Sequence, residues 1–128
     1  MNLEKVVFGF VVLLAATLNF GFVIGDIDDA VLHNGNELYL AVIVNVVATV
    51  LKFGDRTQIG AVHLATSLVA VLQLLAATSV YVYATQASPV GLDRGLTSTV
   101  VSLAAGALLA NIVSVVLLVI ETVSFRRR

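Results

Sequence analysis

Two lines of polar side chains, set inside long apolar runs, carry whatever chemistry this chain can do. In Asn36–Phe53, NELYLAVIVNVVATVLKF, the residues Glu37, Ala41, Asn45, Ala48 and Lys52 share an arc of about 80° at 100° per residue, with Thr49 just beyond it. In the next run His63, Thr66, Ala70, Gln73, Ala77 and Tyr81 share a similar arc of about 80°. An acid, an amide, a hydroxyl and a lysine on one side of a membrane helix seldom face lipid. Such a line is either the wall of a water-filled path or a packing seam. Asn45 and Gln73 are the mid-membrane amides, on facing stripes of consecutive helices. Interhelical hydrogen bonding, worth about 0.5–2 kcal/mol per contact, is the simpler account of them, and pore lining is the functional one. His63, the one histidine inside a span, reads first as a hydrogen-bonded residue between helices and second as a proton relay or ligand.

A third group, Asp26, Asp28 and Asp29 followed by His33, lies between apolar runs. Carboxylates of this kind take hard divalent cations. The simpler reading is a solvated loop that helps to fix topology, so no metal site is assigned. In a ring of subunits the same loop would place negative charge around a pore mouth and concentrate cations there. No carboxylate falls within an apolar run, which weighs against the chemistry of small multidrug antiporters. No nucleophile–base pair or metal-ligand motif appears, so an enzyme is not expected and neither is a cofactor.

Four helices must position these groups. The 128 residues are 59% hydrophobic and 12% charged, with a mean hydropathy of +1.05, well outside the soluble range. Charges cluster between apolar runs, as in a multi-span membrane protein. A net charge of −1 gives no reason to expect nucleic acid, and the absence of cysteine excludes disulfides and thiolate chemistry. The first run, Val6–Ile24 after Lys5, resembles a signal peptide at its start. It continues far past Ala15-Ala16-Thr17, reaching about 28 Å as a helix, and reads as a retained span. Gly21 and Gly25 would let a neighbouring backbone approach.

The second helix is short and would also suit a re-entrant segment, but Asn36–Phe53 spans about 27 Å if Glu37 and Lys52 lie at the interfaces. Lys52, Gly54, Asp55 and Arg56 belong to a tight turn, with Gly54 as C-cap. Ser98, Ser102, Gly106, Ala110 and Ser114 form a ladder at four-residue spacing on the last helix, the trace of a close right-handed crossing. The expected all-α architecture is one four-helix transmembrane domain with helices near 6–25, 36–53, 58–85 and 96–122.

Loop charges set the expected orientation. With the N-terminus inside, Lys5, Lys52, Arg56 and Arg126–Arg128 are cytoplasmic and only Arg94 is outside. That is a strong positive-inside bias, and it requires the second helix to cross fully. Both termini are then cytoplasmic.

Two resemblances follow from particular strings. Thr49-Val50-Leu51-Lys52-Phe53-Gly54-Asp55 resembles a potassium-channel filter interrupted by two residues. Leu51 and Lys52 replace its first glycine, and a lysine there would repel cations. Over most of its length the chain resembles a small family of uncharacterised proteobacterial membrane proteins. The strings are Met1-Asn-Leu-Glu-Lys, Ala16-Thr-Leu-Asn-Phe-Gly-Phe, Gly25-Asp-Ile-Asp, Ala48-Thr-Val-Leu-Lys-Phe-Gly-Asp-Arg-Thr-Gln-Ile-Gly-Ala and Ala110-Asn-Ile-Val-Ser-Val-Val-Leu-Leu. The resemblance implies a four-span protein of the bacterial inner membrane and brings no activity or catalytic residue.

The leading functional expectation is an oligomeric ion channel or channel-like subunit, cations favoured, with the second helix lining the path. Its partners would be the lipid bilayer and further copies of itself. The alternatives are a structural or regulatory subunit packed against a larger membrane protein, and a small-solute transporter.

Overall fold

A computed structural model describes residues 3–24, 35–53 and 58–126. It is all-α. Helix α1 spans Leu3–Val23, α2 Gly35–Lys52, α3 Gln58–Gln86 and α4 Arg94–Arg126. Each is long and apolar enough to cross a membrane, the signature of a multi-pass membrane protein. The acidic residues Asp26, Asp28 and Asp29, together with Gly25, Gly54, Asp55 and Arg56, lie outside the described residues.

The helix ends have local causes. Helix α1 begins at Leu3, ahead of the apolar run, so Glu4 falls in its first turn, where a carboxylate complements the positive end of the helix dipole. Helix α4 opens on Asp93, whose carboxylate accepts from Leu96 N at 2.8 Å while its carbonyl accepts from Thr97 N at 2.9 Å. This is a side-chain N-cap. Between α3 and α4 the chain reverses at Ser88–Gly91, where Gly91 N donates to Ser88 O at 3.3 Å. Gly91 has a φ of 69°, a conformation that a side chain would strain. At 33 residues α4 is about 50 Å long, well beyond a hydrocarbon core of about 30 Å, so it must tilt or protrude.

Consecutive helices pack side by side, and α1 closes against α4. The core is built from Phe22 of α1, Leu38 and Ala41 of α2, Ala70, Leu74 and Ala77 of α3, and Val100, Val101, Ala104 and Ala107 of α4. Alanine dominates it because helices in lipid associate through close backbone approach, not by hiding apolar surface from water. The larger apolar side chains point outward. On α2 the outer face is Tyr39, Leu40, Ile43, Val46, Val47 and Val50, while Leu38, Ala41, Asn45, Ala48, Thr49 and Lys52 are buried. Near the start of α2, Tyr39 meets Tyr81 of α3 edge to face, with ring centroids 5.8 Å apart.

Thr49–Lys52 is regular α-helix, so its carbonyls lie along the helix in the i, i+4 ladder, in keeping with the departure from a filter at Leu51 and Lys52. Two expectations need correction. Lys52 does not turn outward from the end of α2; the residue is 3% exposed and its side chain turns into the bundle. The stripe of α2 does not pair with Gln73, because Gln73 packs against Gly106 of α4.

Candidate functional site

Lys52 ends α2, and its ammonium reaches the middle of the bundle. Nζ donates to Ser67 Oγ of α3 at 2.6 Å and to Ser114 Oγ of α4 at 2.5 Å. The second bond crosses between helices that are not neighbours in the ring. Ser114 Oγ lies 3.4 Å from His63 Nδ1, and His63 Nε2 lies 3.5 Å from Glu121 Oε2. Phe8 of α1 closes the group by packing edge-on against the imidazole, centroids 5.9 Å apart. All four helices therefore contribute at one end of the bundle.

The spacing explains the convergence. His63 and Ser67 are four apart and share one face of α3, and Ser114 and Glu121 are seven apart on one face of α4. The order of donors follows from the chemistry of the groups. An ammonium has hydrogens only to give, so Ser114 must accept from Lys52. A neutral imidazole whose Nδ1 accepts the Ser114 hydrogen carries its own proton on Nε2, the nitrogen that faces the half-buried Glu121 carboxylate. Among the described residues no carboxylate forms an ion pair with Lys52; its acceptors are two neutral hydroxyls. A buried charge costs several kcal/mol unless compensated, and ammoniums placed within a span usually serve a function.

A cavity of about 590 Å³ opens at this end. Its apolar wall is Leu3, Val7, Phe8 and Leu51, and its charged residues are Glu4, Lys5, Lys52 and Glu121, with His63 at the inner side. Both signs of charge stand beside an apolar wall, a lining suited to an amphiphilic or zwitterionic guest. Among the described residues no cluster of three or more His, Asp or Glu could hold a metal ion.

The other residues singled out by the sequence are dispersed. Glu37 packs its carboxylate over Gly21 of α1. Asn45 donates within its own helix to Ala41 O at 2.7 Å, and Thr49 likewise to Asn45 O at 2.8 Å. Thr66 donates to His63 O at 2.7 Å. The Gln73 amide stands 2.7 Å from where a Cβ on Gly106 would be, and its Oε1 is buried without a hydrogen-bond partner among the described residues. The ladder of α4 winds from the exposed Ser102, flanked by the part-buried Ser98, through Gly106 and Ala110 to the buried Ser114.

Sequence reasoning passed over Ser67, Glu121 and Phe8, and it gives Asn19, a polar residue of the first helix, no role. Asn19 of α1 is fully buried. With its amide oriented to match its neighbours, it donates to Ala104 O at 3.1 Å and accepts from Leu108 N at 3.0 Å and Asn111 Nδ2 at 3.2 Å. Ala104 and Leu108 are an i, i+4 backbone pair, so α1 is bonded directly into the ladder of α4. The polar residues opposite Asn19 at Asn111 and opposite Lys52 at Ser114 were the available signal.

A family described as a family of unknown function, DUF6394, matches residues 32–122. The chain belongs to the DUF6394 family. The matched stretch contains Lys52, His63, Ser67, Ser114 and Glu121 and leaves out α1 with Phe8 and Asn19. The polar core of the site is thus part of what the DUF6394 match covers, while its aromatic lid lies beyond. No curated protein and no solved structure matches the chain.

Proposed function

We propose that this protein is a four-span, self-associating protein of the bacterial inner membrane with both termini in the cytoplasm. It binds a small charged ligand in the vestibule at the Lys52 end and works as a transporter or channel-like subunit. The observation that carries this reading is the Lys52 ammonium, 3% exposed, held by two serine hydroxyls beside an open cavity that it helps to line. A packing role alone would be met more cheaply by an apolar residue. The positive-inside distribution supports the orientation, and the resemblance to proteobacterial inner-membrane proteins supports the location. The exposed small residue Ser102 leaves a seam on which a second copy could pack.

A cation path along α2 is the second reading, favoured by the line of Glu37, Asn45 and Thr49 on or beside the inner face. It requires the bundle to open, since Leu38, Ala41, Leu74, Ala77 and Ala104 fill the core.

Because the chain has no cysteine, single cysteines report cleanly on access. Leu51→Cys in the vestibule should react with a membrane-impermeant maleimide in inverted membrane vesicles and resist it in right-side-out ones. Proteoliposomes should show solute-driven charge movement that Lys52→Met abolishes. Labelling from the periplasmic side alone overturns the orientation, and no charge movement with any small anion or cation overturns the transport reading.

A further inference from the structure

We propose that the vestibule receives the headgroup of a phospholipid carrying both a phosphate and a primary amine, entering sideways from the bilayer. This rests on the reading of the vestibule as a ligand site and names its occupant.

Position comes first. Helices α1 and α2, of 21 and 18 residues, are about 32 and 27 Å long and match the hydrocarbon thickness of about 30 Å. The start of α1 and the end of α2 therefore lie at headgroup depth, and the cavity sits there. Its volume of about 590 Å³ falls within the usual range of about 300–1,000 Å³ for small-molecule sites.

The wall is also open on the side that faces lipid. Leu3, Val7 and Leu51 line the cavity and are themselves exposed, and α1 and α2 are packed neighbours. An acyl chain can thus continue from the cavity down the surface of α1 and α2 while its headgroup stays inside. A water-soluble ligand would have no use for that apolar exit.

The charged lining matches such a headgroup at both poles. Lys52 gives two of its three N–H groups to Ser67 and Ser114, leaving the third for a phosphate oxygen. Lys5 lines the same cavity and adds a second positive charge. Glu121 and Glu4, also in the lining, supply negative charge for the ammonium of the headgroup. A choline headgroup satisfies the charges but has no N–H to donate, and a glycerol headgroup has no cation for the carboxylates.

The test is native mass spectrometry of the full chain in detergent, titrated separately with phosphatidylethanolamine, phosphatidylcholine, phosphatidylglycerol, soluble phosphoethanolamine and inorganic phosphate. Phosphatidylethanolamine should be retained at least about ten-fold better than the other two lipids, the loss expected for one charged hydrogen bond. Lys52→Met should lower retention of all three lipids, since each carries the phosphate, and Glu121→Gln should remove the preference. Leu51→Trp, which fills the mouth and leaves the polar group intact, should lower retention of all three lipids, and Leu72→Ala on the outer face of α3 should change nothing. Equal retention of the three lipids, a preference untouched by Glu121→Gln, or retention untouched by both Lys52→Met and Leu51→Trp, overturns the proposal. If soluble phosphoethanolamine or phosphate binds in a Lys52-dependent manner while the lipids do not, the lipid assignment falls and the ligand site stands. If no probe binds in a Lys52-dependent manner, both fall.

Discussion

Replacing Lys52 by methionine should leave the bundle about as stable as before, although it removes a side chain bonded to both α3 and α4. The magnitude follows from opposing terms. Two hydrogen bonds from a charged donor, at about 1.5–3 kcal/mol each, are lost. Against them stands the cost of holding an ammonium out of water, several kcal/mol after relaxation. Met fills much the same volume, and the freed hydroxyls of Ser67 and Ser114 can turn back to carbonyls one turn earlier on their own helices. The terms cancel to within about 1.5 kcal/mol. Ser114→Ala is different, because it leaves the ammonium buried with one partner fewer and should cost about 1.5–3 kcal/mol. The two changes are therefore coupled: in the Lys52→Met background, Ser114→Ala should cost less than about 0.5 kcal/mol. Denaturant unfolding in micelles, followed by circular dichroism, measures all four corners of this cycle. A loss of more than about 3 kcal/mol for Lys52→Met alone, or additive single effects, would refute the reasoning and make Lys52 a structural strut.

Two further contrasts test the packing. Asn19→Leu removes three contacts to α4 and should cost about 2 kcal/mol at the usual membrane value of about 0.6 per contact. Gln73→Leu should be neutral or slightly stabilising in the same unfolding assay, since it removes a buried, unbonded oxygen. Gly35→Ala would drive a methyl into the Tyr81 ring, already fixed against Tyr39, and should lower stability by about 1–3 kcal/mol. At Gly106 the obstacle is the movable amide of Gln73, so Gly106→Ala should fall within about 1 kcal/mol of wild type, helped by better helix propensity.

The four helices were legible because hydropathy and charge clustering act along the chain and need no knowledge of neighbours. So was the rotation of α2: Ala41, Asn45, Ala48 and Lys52 form its buried side, as their shared arc implies. What periodicity cannot give is the helix on the other side of a stripe. Gln73 looked like the partner of Asn45 because hairpin-linked helices adjoin, yet Asn45 satisfies itself on Ala41 O and Gln73 meets α4. Lys52 misled for a related reason. A lysine at a helix end ordinarily snorkels outward, and the serines that draw this one inward lie 15 and 62 residues away in sequence. The site could not be assembled from any local motif, because each helix brings one or two of its residues.

The dependence on α4 has a consequence for how the protein is made. Asn19 of α1, Lys52 of α2 and His63 of α3 all turn to α4, at Ala104, Leu108 and Asn111, at Ser114, and at Ser114 and Glu121. The chain is synthesised from its N-terminus, so the first three helices enter the bilayer carrying an amide, an ammonium and an imidazole that lack these α4 partners. The last helix supplies them together. Until it arrives the nascent bundle holds polar groups in the wrong solvent, and its assembly is complete only with the last helix.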